Sequence, residues 1–222
     1  MGTIPRRAVT DGVLRTMRVV AGQFRGRSLD APEGLTTRPM TDRAKETLFN
    51  ILGSRCAKPG ELPDFDVLDL FAGTGGLGIE AMSRGARSCI FVERDRQALR
   101  ALRTNLGRLG LNGVCRILAD NAWTMRPPTC AAGFGLIFAD PPYRDATDPL
   151  RVLDFLERLS HCLAADGLIM LRLEAQVLPP AADEQRGLRY LKERWLGRMR
   201  LIFLVRSPAD PPPADADVPP PT

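Results

Sequence analysis

Residues 66–83 read DVLDLFAGTGGLGIEAMS, and the fold follows from how the pattern changes along this stretch. Asp66 to Ala72 is a short apolar run of strand type. Gly73 to Gly78 is a glycine-rich loop, and from Gly76 to Ser83 the pattern turns helical. A strand running through glycines into a helix opens an α/β sheet that binds its ligand at the carboxyl ends of the strands. Gly73, Gly75 and Gly78 satisfy the dinucleotide pattern GxGxxG. Glu93 stands 20 residues after Gly73, where a carboxylate can accept both hydroxyls of a ribose. NAD and S-adenosylmethionine both fit this pattern. Asp69 separates them, because a carboxylate beside the loop repels a pyrophosphate and attracts an ammonium and a sulfonium. The expected ligand is therefore S-adenosylmethionine.

Outward from this unit, apolar runs alternate with amphipathic stretches, which predicts an α/β fold with a mainly parallel sheet. Strands are expected at 88–93, 114–119, 135–139 and 167–173, with helices at 96–109 and 150–162. Two further runs, 188–195 and 200–205, follow without a helix between them and read as an antiparallel hairpin closing the sheet. Ahead of the sheet, 17–29 reads as a small hairpin turning near Gly22 or Gly26. Residues 41–52 read as a helix capped by Thr41 or Asp42. The organisation expected is a loose head (1–16), an N-terminal appendage of hairpin and helix (17–55), a catalytic domain (56–206) and a tail (207–222). That tail holds seven prolines and three aspartates in sixteen residues, too polar to bury a core.

The fourth strand of the sheet ends in Asp140-Pro141-Pro142-Tyr143. Two prolines remove two backbone donors and fix their φ angles, leaving a rigid turn of acceptors beside a carboxylate. Such a site suits a neutral exocyclic amine: the Asp140 carboxylate and the Pro141 carbonyl hold its two N–H groups and turn the nitrogen lone pair toward a methyl donor. Tyr143 offers a face on which a base stacks. Asp120, ending the third strand and followed by Asn121, lies at the same edge and is expected to meet the adenine amino group.

Composition narrows the partners. With 44% hydrophobic and 26% charged residues the 222-residue chain has enough apolar material for one large core. No run approaches the ~18 apolar residues of a membrane span, and the first twenty residues lack a signal-peptide core, so the expected place is the cytoplasm, away from membranes. Five cysteines without a CxxC spacing argue against a disulfide framework and a zinc site, and no metal is expected. The single histidine, His161, reads as the end of a helix rather than a catalytic base. Of 31 basic residues 28 are arginine, and residues 1–55 hold ten bases against five acids. Arginine's planar fork binds phosphates in pairs of contacts, so Arg18, Arg25, Arg27, Arg38, Arg43 and Lys45 are the expected nucleic-acid contacts.

The loop from Asp69 to Gly78 followed by Asp140 to Tyr143 resembles the class I, S-adenosylmethionine-dependent amino-methyltransferases. More narrowly, MRVVAGQFRGRSL (17–29), RPMTDRAKETLFNIL (38–52), LDLFAGTGGLGIEAMSRGA (68–86) and ADPPY (139–143) look like the bacterial methyltransferases that form N2-methylguanine in 16S ribosomal RNA. Members often have serine at position 74 and threonine at position 40, where this chain has Thr74 and Met40. The resemblance implies a Rossmann-like, seven-stranded, mostly parallel sheet. It also implies Asp69, Phe71, Gly73, Thr74, Gly75, Gly78, Glu93, Asp120 and Asn121 as cofactor contacts, and 140–143 as the clamp on the target base. It further implies 16S rRNA within an assembled or partly assembled 30S particle as the substrate, met by a monomer. Amine targets in DNA share DPPY, an NAD-dependent oxidoreductase shares the glycine loop, and an RNA-binding assembly factor without catalysis shares the basic appendage. These remain the competing expectations.

Overall fold

The computed structural model describes residues 17–32, 40–54, 60–174 and 187–207. The head before Met17, Arg38, Cys56 and the proline-rich tail beyond Ser207 lie outside them. The chain begins with two short antiparallel strands, β1 (Met17–Arg18) and β2 (Ser28–Leu29), and a helix α1 (Asp42–Gly53). The α/β alternation follows with β3 (Asp66–Leu70), α2 (Gly78–Ser83), β4 (Ser88–Glu93), α3 (Arg96–Arg108), β5 (Cys115–Ala119), β6 (Phe134–Ala139) and α4 (Pro149–Ser160). It ends in β7 (Leu163–Glu174), β8 (Leu188–Leu196) and β9 (Met199–Arg206).

These seven later strands form one sheet in the order β5-β4-β3-β6-β7-β9-β8. The first five pair in parallel, and β9 pairs antiparallel with both β7 and β8. The α/β sheet with an antiparallel C-terminal hairpin is therefore present as the alternation predicted. From β3 the chain moves outward through β4 and β5, then returns to the other side of β3 as β6. The order thus reverses between β3 and β6, which is where open α/β sheets bind ligands.

Both faces of the sheet are covered, which is why β3, β4 and β6 read as continuous apolar runs. One face carries Phe91, Phe138, Met170 and Phe203 beneath α1, α2 and α3; the other carries Val92, Ile137, Ile169 and Ile202 beneath α4. On α1, Ala44, Leu48, Phe49 and Leu52 are buried, with Phe49 5.9 Å from Phe138 between ring centroids. The segment expected as an appendage therefore shares the sheet's core. Side-chain caps start the longer helices: Thr41 Oγ1 accepts from Ala44 N, Asp95 from Gln97 N and Ala98 N, and Asp148 from Leu150 N and Arg151 N. His161 caps the C-terminal end of α4 and is exposed.

Several boundaries shift, β3 ending at Leu70 rather than Ala72 and α4 at Ser160 rather than Cys162 among them, and two of the shifts have a local cause. β7 begins at Leu163 rather than Gly167, because a bulge inserts the exposed Ala165 and Asp166 between the pairs Phe134–Leu163 and Leu136–Leu168. Helix α2 starts at Gly78 rather than Gly76, because the residues before it turn to form the glycine loop.

The N-terminal segment is fastened through one buried carboxylate. Glu80 on α2 is fully buried; its Oε2 accepts from Val20 N (2.8 Å) and its Oε1 from Ala21 N (3.0 Å) and Arg84 Nε (2.9 Å). Lys45 Nζ of α1 lies 3.7 Å from Glu80 Oε2 and donates to the Arg18 carbonyl at 2.6 Å. Lys45 is 1% exposed, which corrects its assignment as an RNA contact. Burial pushes its pKa down, against the pull of Glu80 and Asp42. Removing one member of such a network leaves charges buried without their partner. Glu80→Ala should lower unfolding free energy by ~3–5 kcal/mol in urea titration. Arg108→Ala, which breaks only the exposed pair with Asp30, should cost less than about 1 kcal/mol.

Candidate active site

The carboxyl ends of β3, β4, β5 and β6 open onto one cleft of about 290 Å³. Phe71 and Gly73 line it from the first loop, Glu93, Arg94 and Asp95 from the second, Asp120 to Ala122 from the third, and Asp140 and Pro142 from the fourth. Gln97 and Ala98 of α3 and Arg172 of β7 complete it.

The loop after β3 is forced out of the strand at once. Phe71 has φ +60°, a conformation that side-chain-bearing residues rarely hold and that costs about 1–3 kcal/mol. Its ring packs 5.2 Å from Trp123 and 5.7 Å from Phe155, contacts that hold it there. The glycines then divide their work. Gly73 has φ +57°, and a Cβ built on it meets nothing within 4 Å, so open space stands over it. A Cβ on Gly78 would lie 2.4 Å from the Phe91 ring, and one on Gly75 2.6 Å from Leu102. Those two glycines let α2 and α3 close on the sheet and do not line the cleft. Thr74 is also buried beneath the loop, its carbonyl accepting from Asn105 Nδ2.

Asp69 is placed otherwise than expected. It is 1% exposed, and its Oδ2 accepts from Gly78 N at 2.8 Å, so it braces the loop from inside. Burial above all pushes its pKa from 3.8 up to about 8, with Asp140 and Glu93 adding to the rise and the Gly78 amide opposing it. A carboxyl group so placed does not select a cationic ligand by its charge. Glu93 does face the cleft and is also a brace: Oε2 accepts from Gly73 N (2.8 Å), Oε1 from Arg94 N (2.7 Å) and Asp95 N (2.8 Å). Asp120 and Asn121 lie in the cleft, with Asp120 Oδ1 accepting from Asn121 N and Asn121 Oδ1 from Trp123 N.

Across the cleft, Asp140 is 15% exposed at the end of β6, and Arg172 Nε from β7 pairs with its Oδ1. Burial raises the Asp140 pKa, and the Arg172 guanidinium opposes the rise. Pro141 is buried and Pro142 lines the cleft; Pro142 O accepts from Asp145 N, closing the short 3-10 turn Tyr143–Asp145. The Tyr143 side chain lies outside the described residues.

The expected RNA contacts separate. Arg25 and Arg27 are exposed beside Gly26. That hairpin docks on Ser83 at the C-terminal end of α2, whereas the cleft lies at its N-terminal end. Arg18 is exposed and paired with Asp42, and Arg43 is exposed on the first turn of α1.

A protein family described as Conserved hypothetical protein 95 matches residues 17–205. The chain belongs to this family. It is 42% identical over 171 residues to a putative rRNA methyltransferase, YlbH, of Bacillus subtilis, covering 74% of this chain and 86% of that one. It is 38% identical over 128 residues to ribosomal RNA small subunit methyltransferase D of Escherichia coli, covering 58% and 61%. A solved structure described as a putative methyltransferase, yhhF, from Escherichia coli superimposes with a TM-score of 0.70 at 32% identity, over 86% of this chain and 98% of that one.

Sequence reasoning missed Arg172. Its signal was a charge flanked on both sides by leucine in the apolar run LIMLRL of β7. Arg94, Asp95 and Gln97 were missed because they follow Glu93 in a helix start that reads as ordinary capping.

The brace at Asp69 yields a stability test. Its folded pKa of about 8 exceeds the ordinary 3.8, so the native state holds a proton that the unfolded state releases. Asp69 therefore supports folding at low pH, and that support is lost as pH rises toward about 8. Asp69→Asn keeps an acceptor for Gly78 N and removes the titration. Its Tm relative to the parent should climb from acid to mildly alkaline pH and then level off; a difference independent of pH would refute the buried carboxyl.

Proposed function

We propose that the protein transfers the methyl group of S-adenosylmethionine to the exocyclic N2 amine of a guanine in 16S ribosomal RNA, within an assembled or partly assembled 30S particle. The observation that carries this reading is that the glycine loop with Glu93 and the Asp140-Pro141-Pro142 turn with Arg172 line a single cleft. The names of the relatives, an rRNA methyltransferase and a small-subunit rRNA methyltransferase, agree with it.

The residues of the cleft fit the methyl donor. Open space over Gly73, the Phe71 ring and the acceptors Glu93, Asp95, Asp120 and Asn121 match a molecule carrying ribose hydroxyls, an amino group and an ammonium. When bound, S-adenosylmethionine supplies an electrophilic methyl group. Glu93 holds the ribose, and Asp120 with Asn121 meets the adenine edge. Asp140 and the Pro141 carbonyl each accept one N–H of the target amine. That draws the nitrogen lone pair out of conjugation with the ring and aims it into the cleft. As the new N–C bond forms and the S–C bond breaks, the amine gives up one proton, with Asp140 as its nearest acceptor. A carboxyl group buried like Asp140 tends to stay protonated and so cannot accept. Arg172 opposes that tendency and fixes the carboxylate's direction. No step of this sequence needs a metal.

Incubation with labelled S-adenosylmethionine and undermethylated 30S particles, naked 16S rRNA or DNA, followed by nucleoside analysis, tests the assignment. N2-methylguanosine from the ribosomal substrates is expected; methylated adenine or cytosine, or label in DNA alone, would replace it with another amine target. Asp140→Ala should lower turnover by at least about 100-fold and leave cofactor affinity nearly unchanged in calorimetry, because its partner belongs to the base. Arg172→Met should raise the Asp140 pKa further and move the acidic limb of the kcat profile to higher pH. Arg172→Lys should return that limb part of the way. An unmoved limb in both would assign Arg172 a packing role alone.

A further inference from the structure

The loops that follow β4 and β6 are joined by a pair of side chains: Arg94 Nη2 donates to Asp145 Oδ2 at 3.3 Å. The sheet order puts β3 between those two strands, so the pair bridges two strand spacings, about 9–10 Å, across the carboxyl end of β3. That is the end from which Phe71 and Gly73 line the cleft, and Arg94 lines it too.

Both partners are tied to residues on the two sides of the cleft. Glu93 Oε1 accepts from Arg94 N at 2.7 Å, and Glu93 Oε2 accepts from Gly73 N at 2.8 Å. Opposite them, Asp145 N donates to Pro142 O at 2.9 Å. A chain of contacts thus runs from Gly73 through Glu93, Arg94 and Asp145 to Pro142, from the glycine loop to the turn that follows Asp140. Three of its links have backbone amides as donors and hold the shape of each loop. The fourth, Arg94 to Asp145, joins two side chains that are 58% and 28% exposed. An ion pair so wetted adds little to folding and opens at small cost. What it fixes is the distance between two loops with different tasks, one holding the methyl donor and the other the amine. That distance outweighs the energy of the pair itself, because misplacing reacting atoms by ~1 Å can slow a transfer about 100-fold.

We propose that Arg94 and Asp145 form a latch that opens to admit S-adenosylmethionine, re-forms across the cleft once the cofactor is seated, and so sets the Asp140-Pro141-Pro142 turn against the methyl donor. The inference rests on the methyl-transfer reading above and deepens it by assigning two positioning residues. Arg94 acts through Glu93 and Asp145 through Pro142, and neither takes a chemical step.

The test loads the full chain with labelled S-adenosylhomocysteine and times its release into an excess of the unlabelled compound, for the parent, Arg94→Ala, Asp145→Ala and the double variant. Asp145→Ala should release the label about 1.5- to 5-fold faster, the worth of one exposed ion pair, although Asp145 is not among the residues lining the cleft. The double variant should release it no faster than Arg94→Ala alone. Release from the parent should quicken between about 0.1 M and 1 M salt as the pair is screened, while release from Asp145→Ala stays flat. In single-turnover methylation of undermethylated 30S particles with the cofactor saturating, Asp145→Ala should lower the rate by a factor between about 3 and 100. Release from Asp145→Ala at the parent rate, or a double variant whose effect is the product of the two single ones, would overturn the latch and leave Arg94 as a cofactor contact alone. An unchanged single-turnover rate would overturn its hold on the turn. If the parent binds S-adenosylhomocysteine but methylates no RNA, the rRNA reading fails while the release rates still decide the latch. If the parent does not bind S-adenosylhomocysteine, the methyl-transfer reading itself fails and takes the latch with it.

Discussion

Glu80 is the constraint on which the arrangement of the N-terminal half depends. It lies on the first turn of α2, directly after the glycine loop, and it gathers two backbone amides of the hairpin, the Arg84 guanidinium and the Lys45 ammonium of α1. Fully buried charges are costly to desolvate, so this cluster holds only while its donors are in place. The consequence reaches the cleft. The helix that follows the glycine loop and α1 are tied to one carboxylate, so the loop and α1 keep a fixed relation. Hairpin, α1 and sheet act as one body for this reason, even though the hairpin strands are only two residues long.

Two other acids repeat the theme with opposite results. Asp69 is buried with a backbone amide as its partner, so its pKa rises to about 8 and it serves as a brace. Asp140 is buried with the Arg172 guanidinium as its partner, and a cation resists protonation where an amide resists it less. Both residues end or nearly end a central strand, yet only the one with a cationic partner points into the cleft. The charge of Asp69 therefore does not distinguish a methyl donor from NAD. On the reading proposed above, the acceptors of the Asp140-Pro141-Pro142 turn make that distinction instead, because a hydride-transfer site has no use for a rigid array of acceptors beside a carboxylate.

Most of the fold was legible because the strands are buried on both faces and read as unbroken apolar runs; Ser88–Glu93 has the same bounds in sequence and structure. The same continuity hid the details. In a strand buried on both sides the alternation of faces disappears, so nothing in DVLDL told that Asp69 points with Val67 toward the helices rather than out at the strand end. Lys45 was misread for the reverse reason. It shares a helical stripe with Leu48, Phe49 and Leu52, and that spacing marks the buried face, but its charge suggested the surface. The start of β7 was missed because its bulge exposes Ala165 and Asp166, which break the apolar run. Of the glycine pattern, the sequence announced three glycines alike; only packing against Phe91 and Leu102 shows that Gly78 and Gly75 serve helix approach and Gly73 alone faces ligand space.

The sheet order explains where the cleft forms. Reversal of the strand order between β3 and β6 splays their following loops apart, and a hollow forms there without any insertion. The loops after β4 and β5 place the acceptors Glu93, Asp95, Asp120 and Asn121 along one side of it. Beyond the reversal β9 joins β7 antiparallel, with Met199 level with Glu174 at the same edge. Arg172 on β7 stands between Asp140 and Met199, with one nitrogen on the Asp140 carboxylate and another near Met199. Asp140 is thus oriented from β7, and a displacement of Met199 acts first on the guanidinium that orients it.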